Sequence, residues 1–220
     1  SNDLSVISSG CTYDDNTTFS DAMKVITKYS LRKKLPKKVL IHLKNGLGTT
    51  IRRQKRLAIK NKIIATNQDC LNSMAMKSRT LGFTTKIHSS VKDDVSISAK
   101  KIVKNIPKQK NSCLIFGGEP TVKVTGRGKG GRNQELVMQI LKLTHRSDDN
   151  LLISSATTDG IDGNTDYSGA LIENHMSGTQ NINYYLKNND SNSFFKKHGG
   201  LIKTGPTHTN LIDVGLIIKY

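Results

Sequence analysis

The sequence contains no tryptophan, and aromatic residues make up only 5% of it. Proteins that bind single-stranded nucleic acid stack bases on interleaved aromatic side chains. The densest basic run here, Arg52–Arg53–Gln54–Lys55–Arg56, has none. No apolar run approaches the roughly 20 residues needed to span a bilayer, and no leader pattern is visible, so no membrane partner is expected. The three cysteines, Cys11, Cys70 and Cys113, are widely spaced, odd in number and without metal-ligand spacing. They read as reduced thiols of a cytoplasmic protein. Acidic residues are also scarce: 17 Asp and Glu stand against 34 Lys and Arg, a formal net charge of +17. That excess admits a polyanion partner or compositional drift. The lysines are scattered among abundant Asn and Ile, which favours drift, and nucleic acid is not the expected partner.

What the chain does have is a glycine-rich, basic stretch from Gly117 to Glu135, GGEPTVKVTGRGKGGRNQE. A strand-like SCLIF precedes it and a helical pattern follows it. Glycine permits close backbone approach and leaves N–H groups exposed. A helix N-terminus adds free donors and a positive dipole end. With Lys129 and Arg132 at the same mouth, the stretch reads as an anion site near Gly128–Arg132. The alternative is a basic, flexible hairpin loop. A dinucleotide fingerprint is not present, because the glycine spacing is wrong and no acidic ribose ligand follows.

Taken in order, LSVI (4–7) reads as a short strand. Thr18 with Asp21 forms a capping-box pattern, and Phe19, Ala22, Met23, Ile26 and Tyr29 then recur at helical spacing. Pro36 opens a second helix with Val39, Leu40 and Leu43 inward and Gly46 at its end. The basic stretch 47–60 reads as a hinge between domains. KIIAT (62–66) reads as a strand leading to Asn67 as an N-cap, followed by a helix closed by Gly82. The order strand, helix, strand, helix then argues for a parallel βαβ layer. NLLISSAT (150–157) reads as a buried strand ending in TTDGIDGNTD. Asp159, Asp162 and Asp166 there suit a hard cation such as Mg²⁺, or else a turn with capping carboxylates. A final loop, TGPTHTN, precedes the last strand, LIDVGLIIK. His208 in that loop reads as solvated.

The three loops GGEPTVKVTGRGKGGRNQE, ATTDGIDGNTDYSGA and TGPTHTN, in this order, resemble the glycerate 2-kinases with a MOFRL-type C-terminal domain, often labelled hydroxypyruvate reductases. DLSVISSGCT and NNDSNSFF resemble further segments of that family. The resemblance covers nearly the whole chain. It implies an α/β fold: residues 62–220 a MOFRL-like domain with a mixed sheet, and 1–61 a remnant of an N-terminal α/β domain plus hinge. It also implies ATP-dependent, Mg²⁺-assisted phosphorylation of the 2-hydroxyl of D-glycerate, in a cleft shared with a missing N-terminal domain. Arg132 and Lys129 are then assigned to transition-state charge or the glycerate carboxylate. Gly118, Glu119, Gly128, Gly130, Gly131 and Asn133 are assigned to phosphate and substrate, with Thr207 and Asn210 lining the cleft. Asp159 and Asp162 are assigned to the metal or the substrate hydroxyl. The alternatives are a catalytically silent fragment that keeps an anion site, and a charge-driven nucleic-acid binder. Without a cofactor fingerprint, a reductase is the weakest reading.

Overall fold

Two helices begin with the same reciprocal device. Thr18 Oγ1 accepts the Asp21 N–H at 3.2 Å while the Asp21 carboxylate takes the Thr18 N–H at 3.1 Å. This opens helix α1 (Phe19–Lys28). Helix α2 (Lys37–Asn45) follows Pro36 and ends at Gly46. Thr66 and Asp69 repeat the device, at 3.2 and 2.9 Å, before α3 (Asn67–Thr80). The cap is thus Thr66, not Asn67 as the sequence suggests. Asn67 instead turns inward and donates its amide to the carbonyls of Leu211 and Asp213 at 2.8 and 3.0 Å. Thr66→Ala should lower stability by about 1 kcal/mol, read as a fall in the urea midpoint at unchanged slope; an unchanged midpoint would show that this cap contributes nothing.

The computed structural model describes residues 2–13, 17–47, 59–176 and 181–220. The chain divides into two compact units, Ser1–Ile64 and Ala65–Tyr220. Most of the stretch read as a hinge lies outside the described residues.

The described part of the first unit is helical. Ile26 is its buried apolar residue, and the Phe19 ring meets His42 edge-on at 5.8 Å. LSVI is not a strand. Asp3 Oδ1 accepts the Ser5 N–H, and the Asp3 carbonyl takes the N–H groups of Val6 and Ile7. That side chain folds the backbone into a turn running into a 3₁₀ segment, Ile7–Gly10. Val39, expected inward, is exposed, and so is Tyr29 at the end of the α1 stripe. KIIAT is likewise unpaired rather than a strand.

The second unit is a mixed α/β layer. Strand β1 (Thr84–Val91), helix α4 (Val95–Lys104) and strand β2 (Ser112–Gly118) form the expected parallel crossover. Then come α5 (Arg132–Thr144), β3 (Leu151–Thr157), β4 (Gly169–Glu173), α6 (Ile182–Lys187), α7 (Ser191–His198), β5 (Leu201–Ile202) and β6 (Asp213–Lys219). The sheet order is β1-β2-β6-β3-β4-β5, and every pair but β1/β2 is antiparallel. Successive side chains of a strand point to opposite faces. Leu114 and Phe116 of β2 therefore join the core under α4 and α5, while Cys113 and Ile115 pack on Leu71 and Ala75 of α3. A strand covered on both faces reads as a continuous apolar run, which is what SCLIF is.

Register sets the position of the site. Asp213, the first residue of β6, lies opposite Gly118 at the end of β2 and Thr157 at the end of β3. All three loops singled out in the sequence therefore leave or enter the sheet at one edge.

Candidate functional site

Arg132 is the first residue of α5, so the helix begins three residues before the end of the glycine-rich stretch. Its guanidinium forks onto Asp213, Nε to Oδ2 at 2.5 Å and Nη2 to Oδ1 at 3.0 Å. Nη1 faces Glu119 Oε1 at 3.5 Å. The Asp213 side chain is 4% exposed and that of Arg132 31%. Hydrogen bonding to Asp213 pushes the Arg132 pKa further up, so the guanidinium is held charged. Burial raises the Asp213 pKa, and the Arg132 contact opposes it. A guanidinium has five N–H donors. Two are used on Asp213 and one faces Glu119, which leaves further N–H donors to meet an oxyanion.

Beside this pair lies a cleft of about 600 Å³, within the usual range for small-molecule sites. Glu119 and Arg132 line it with Gly128, Gly130 and Gly131 of the stretch read as an anion site. Val122, Val124, Glu135, Asn164 and Asn189 complete much of its wall.

The glycine loop itself does not expose its N–H groups as a phosphate cradle. The Thr125 and Gly126 N–H groups go to Asn189 Oδ1, that of Gly128 to the Asn188 carbonyl, that of Lys129 to Asp190 Oδ1, and that of Gly130 to Asn164 Oδ1. The glycines are required for close approach. A Cβ on Gly126 would lie 2.2 Å from the Asn188 carbonyl oxygen, and one on Gly131 the same distance from Asp162 Cγ.

The helix N-terminus is occupied too. Asp162, 1% exposed, accepts the N–H groups of Asn133 and Gln134, each at 3.0 Å, one on each carboxylate oxygen. A carboxylate at a helix N-terminus is stabilised by the free donors and the dipole, and here the chain supplies its own. Asp162, expected at a metal, thus already has both carboxylate oxygens engaged by the start of α5. Asn133, expected at the ligand, is fully buried and links Asp162 to Ser155 Oγ.

Asp159 belongs to a different knot. Its Oδ1 accepts Thr157 Oγ1 and the Ile161 N–H, and its Oδ2 accepts the Asn210 amide at 3.2 Å. Thr207 donates its N–H to the Asp159 carbonyl and its hydroxyl to that of Thr158. Thr207 and Asn210 are exposed at the same sheet edge, yet neither lines the cleft. Among the described residues no group of three or more His, Cys, Asp or Glu is placed to hold a metal. Lys129 is exposed between lining residues and is not itself in the wall; Gly118, with φ at 145°, closes β2 against Val91.

Members of this site that carried no assignment from the sequence include Asp213, Glu135 and Asn189. The only signal for Asp213 was a single acid entering an apolar last strand, and for Asn189 the Asn188–Asn189–Asp190 run.

Residues 112–213 match the MOFRL family, and residues 1–44 a domain of unknown function (DUF4147). The D-glycerate 2-kinase of Thermotoga maritima is 35% identical over 98% of this chain and 54% of its own length. The glycerate 2-kinase of Pyrococcus horikoshii is 33% identical over 98% of this chain and 52% of its own. A crystal structure of the Thermotoga maritima glycerate kinase superposes on the whole chain with a TM-score of 0.75 at 30% identity, covering 54% of that structure. The chain thus spans about half the length of the relatives it matches. Residues 112–213 thus form a MOFRL family domain, and the chain is homologous to glycerate 2-kinases over most of its length.

Proposed function

We propose that this chain forms one wall of an active site that transfers a phosphoryl group from ATP to the 2-hydroxyl of D-glycerate. The observation that carries the reading is the Arg132 guanidinium, fixed by Asp213 with its Nη1 side on a cleft, in a chain whose relatives are named glycerate 2-kinases. Phosphoryl transfer depends mostly on positioning and on positive charge that stabilises the transferring oxygens. Arg132 supplies such charge, preorganised because a buried carboxylate already holds it. The same donors suit the carboxylate of glycerate. Lys129, between two lining residues, adds positive potential at the mouth.

ATP would supply the phosphoryl group, and the cleft volume and Arg132 fit its phosphate end. The Asp159–Asp162 pair does not fit magnesium: Asp162 is sealed onto α5, and Asp159 is tied to Asn210 and Thr157. No step is therefore routed through a metal on that pair. Catalysis by placed charge also needs water excluded and donor and acceptor held in line. The opposite wall is assigned to the half of the family's length that this chain does not match, and the reaction to the cytoplasm. No helix among the described residues is long and apolar enough to cross a membrane.

The test is ATP-dependent phosphorylation of D-glycerate by the purified chain, alone and joined to the remaining half of the family's length. Turnover is expected only from the joined protein. Robust turnover by the chain alone would overturn the two-wall arrangement, and none from either would overturn the kinase reading.

A further inference from the structure

Glu135 is a buried carboxyl on the cleft that the reading above leaves unused. It sits three residues after Arg132 on the first turn of α5, and both line the cleft. Side chains at that spacing are neighbours on a helix surface, with Cβ atoms about 5–6 Å apart. Glu135 is 7% exposed, and its Oε2 accepts the Asn189 amide at 3.1 Å. No described residue donates to Oε1. Asn189 cannot turn to serve it, because Asn189 Oδ1 is bound by the Thr125 and Gly126 N–H groups. Oε1 is not sealed in the core: it is open to the cleft that Glu135 lines, where an entering hydroxyl can donate to it. Burial raises the Glu135 pKa, as expected for a carboxyl short of donors.

With the proposed kinase reading as its basis, we infer that Glu135 Oε1 receives the 3-hydroxyl of the glycerate whose carboxylate lies on Arg132. The carboxylate and the C3 hydroxyl are the two ends of a three-carbon acid, and the cleft offers a cation and an acceptor side by side. The 2-hydroxyl lies between these two ends, at the carbon where the phosphoryl group is received. Glu135 thereby fixes which hydroxyl reacts. It is a residue that selects substrate and position, and it moves no proton in the transfer.

The probes are D-glycerate and D-lactate, which share the carboxylate and the 2-hydroxyl and differ at C3. A site built to bond a hydroxyl discriminates strongly against the analogue that lacks it. Calorimetry on the joined protein should show glycerate bound about tenfold or more tighter than lactate, and Glu135→Met should bring that ratio to within about twofold. In the joined enzyme, Glu135→Met should also yield 3-phosphoglycerate beside the 2-isomer. Should the variant fail to fold, the carboxyl ¹³C signal of Glu135 in the unaltered protein should move with glycerate and stay with lactate. A tenfold preference that survives in folded Glu135→Met, or a carboxyl signal that answers both acids alike, would overturn the assignment while leaving the kinase reading standing. Failure of the unaltered joined protein to bind either acid would overturn both.

Discussion

Arg132→Ala is expected to weaken binding of glycerate or inorganic phosphate about 10- to 100-fold, from loss of one charge-assisted contact worth roughly 1.5–3 kcal/mol. Phosphorylation by the joined enzyme should fall further, because charge on the transferring oxygens matters most in the transition state. The same change should destabilise the fold, since it leaves the Asp213 carboxyl buried without its partner. Removing one member of a fully buried pair costs about 3–5 kcal/mol. Arg132 is partly exposed, so a value near or below the lower end is expected. Adding Asp213→Asn to Arg132→Ala should recover part of that loss, because no unpaired charge then remains. Arg132→Lys should recover little binding, since an ammonium cannot fork onto Asp213 and still present a second edge. Urea unfolding with ligand calorimetry separates the two effects. Unchanged glycerate affinity in a folded Arg132→Ala protein would remove Arg132 from the site.

How far the sequence revealed this arrangement depended on whether the signal was local. The capping box at Thr18 and Asp21, the close of α3 at Gly82 and the apolar face of α5 all arise within one or two helical turns. Each formed as read: Phe83 N–H reaches the Ser78 carbonyl and Gly82 N–H that of Arg79 around the α3 terminus. The strands that failed, LSVI and KIIAT, have the right composition and no strand partner among the described residues. A strand is specified by the neighbour that takes its N–H and C=O groups, and the sequence does not say which neighbour exists. In LSVI a local competitor, the Asp3 side chain, decided the outcome. Strand β4 was missed for the opposite reason: GALIE is short and unremarkable, and it is a strand because β3 pairs along its whole length.

The candidate site shows the same division. The glycine stretch was visible, but the close approach its glycines serve was not, because glycine at a phosphate and glycine under a neighbouring backbone look identical in sequence. Only the approach of Asn188, Asp190 and Asp162 separates the two. The Arg132–Asp213 pair joins residues 81 positions apart, and no local pattern encodes it.

Asp162 offers the sharpest test of whether a carboxylate at this edge serves the fold or a cation. As a metal ligand it would be dispensable to folding, and its replacement by alanine would be nearly silent in the unliganded chain. As the acceptor for two buried backbone N–H groups it should be costly to lose. Each buried group left unpaired costs about 1–3 kcal/mol, so Asp162→Ala should lose on the order of 3–5 kcal/mol, a large share of the 5–15 typical of a domain. Asp162→Asn should lose less, because the amide oxygen can still accept one N–H. The pH dependence supplies a second readout. Burial raises the pKa of Asp162, and the N–H groups of Gln134 and Asn133 oppose this. For an acid whose folded pKa lies above its unfolded value, the folded state holds more protons through the window between the two. Its contribution to stability is therefore greatest below the unfolded pKa, falls as pH rises through that window, and is constant above it. Asparagine does not titrate, so the advantage of the unaltered protein over Asp162→Asn should shrink as pH rises from the carboxylate range and then level off. An advantage that grows with pH would mean that the helix donors outweigh burial at this carboxylate. A loss close to zero for Asp162→Ala at neutral pH would restore Asp162 to the cation and leave the start of α5 without its cap.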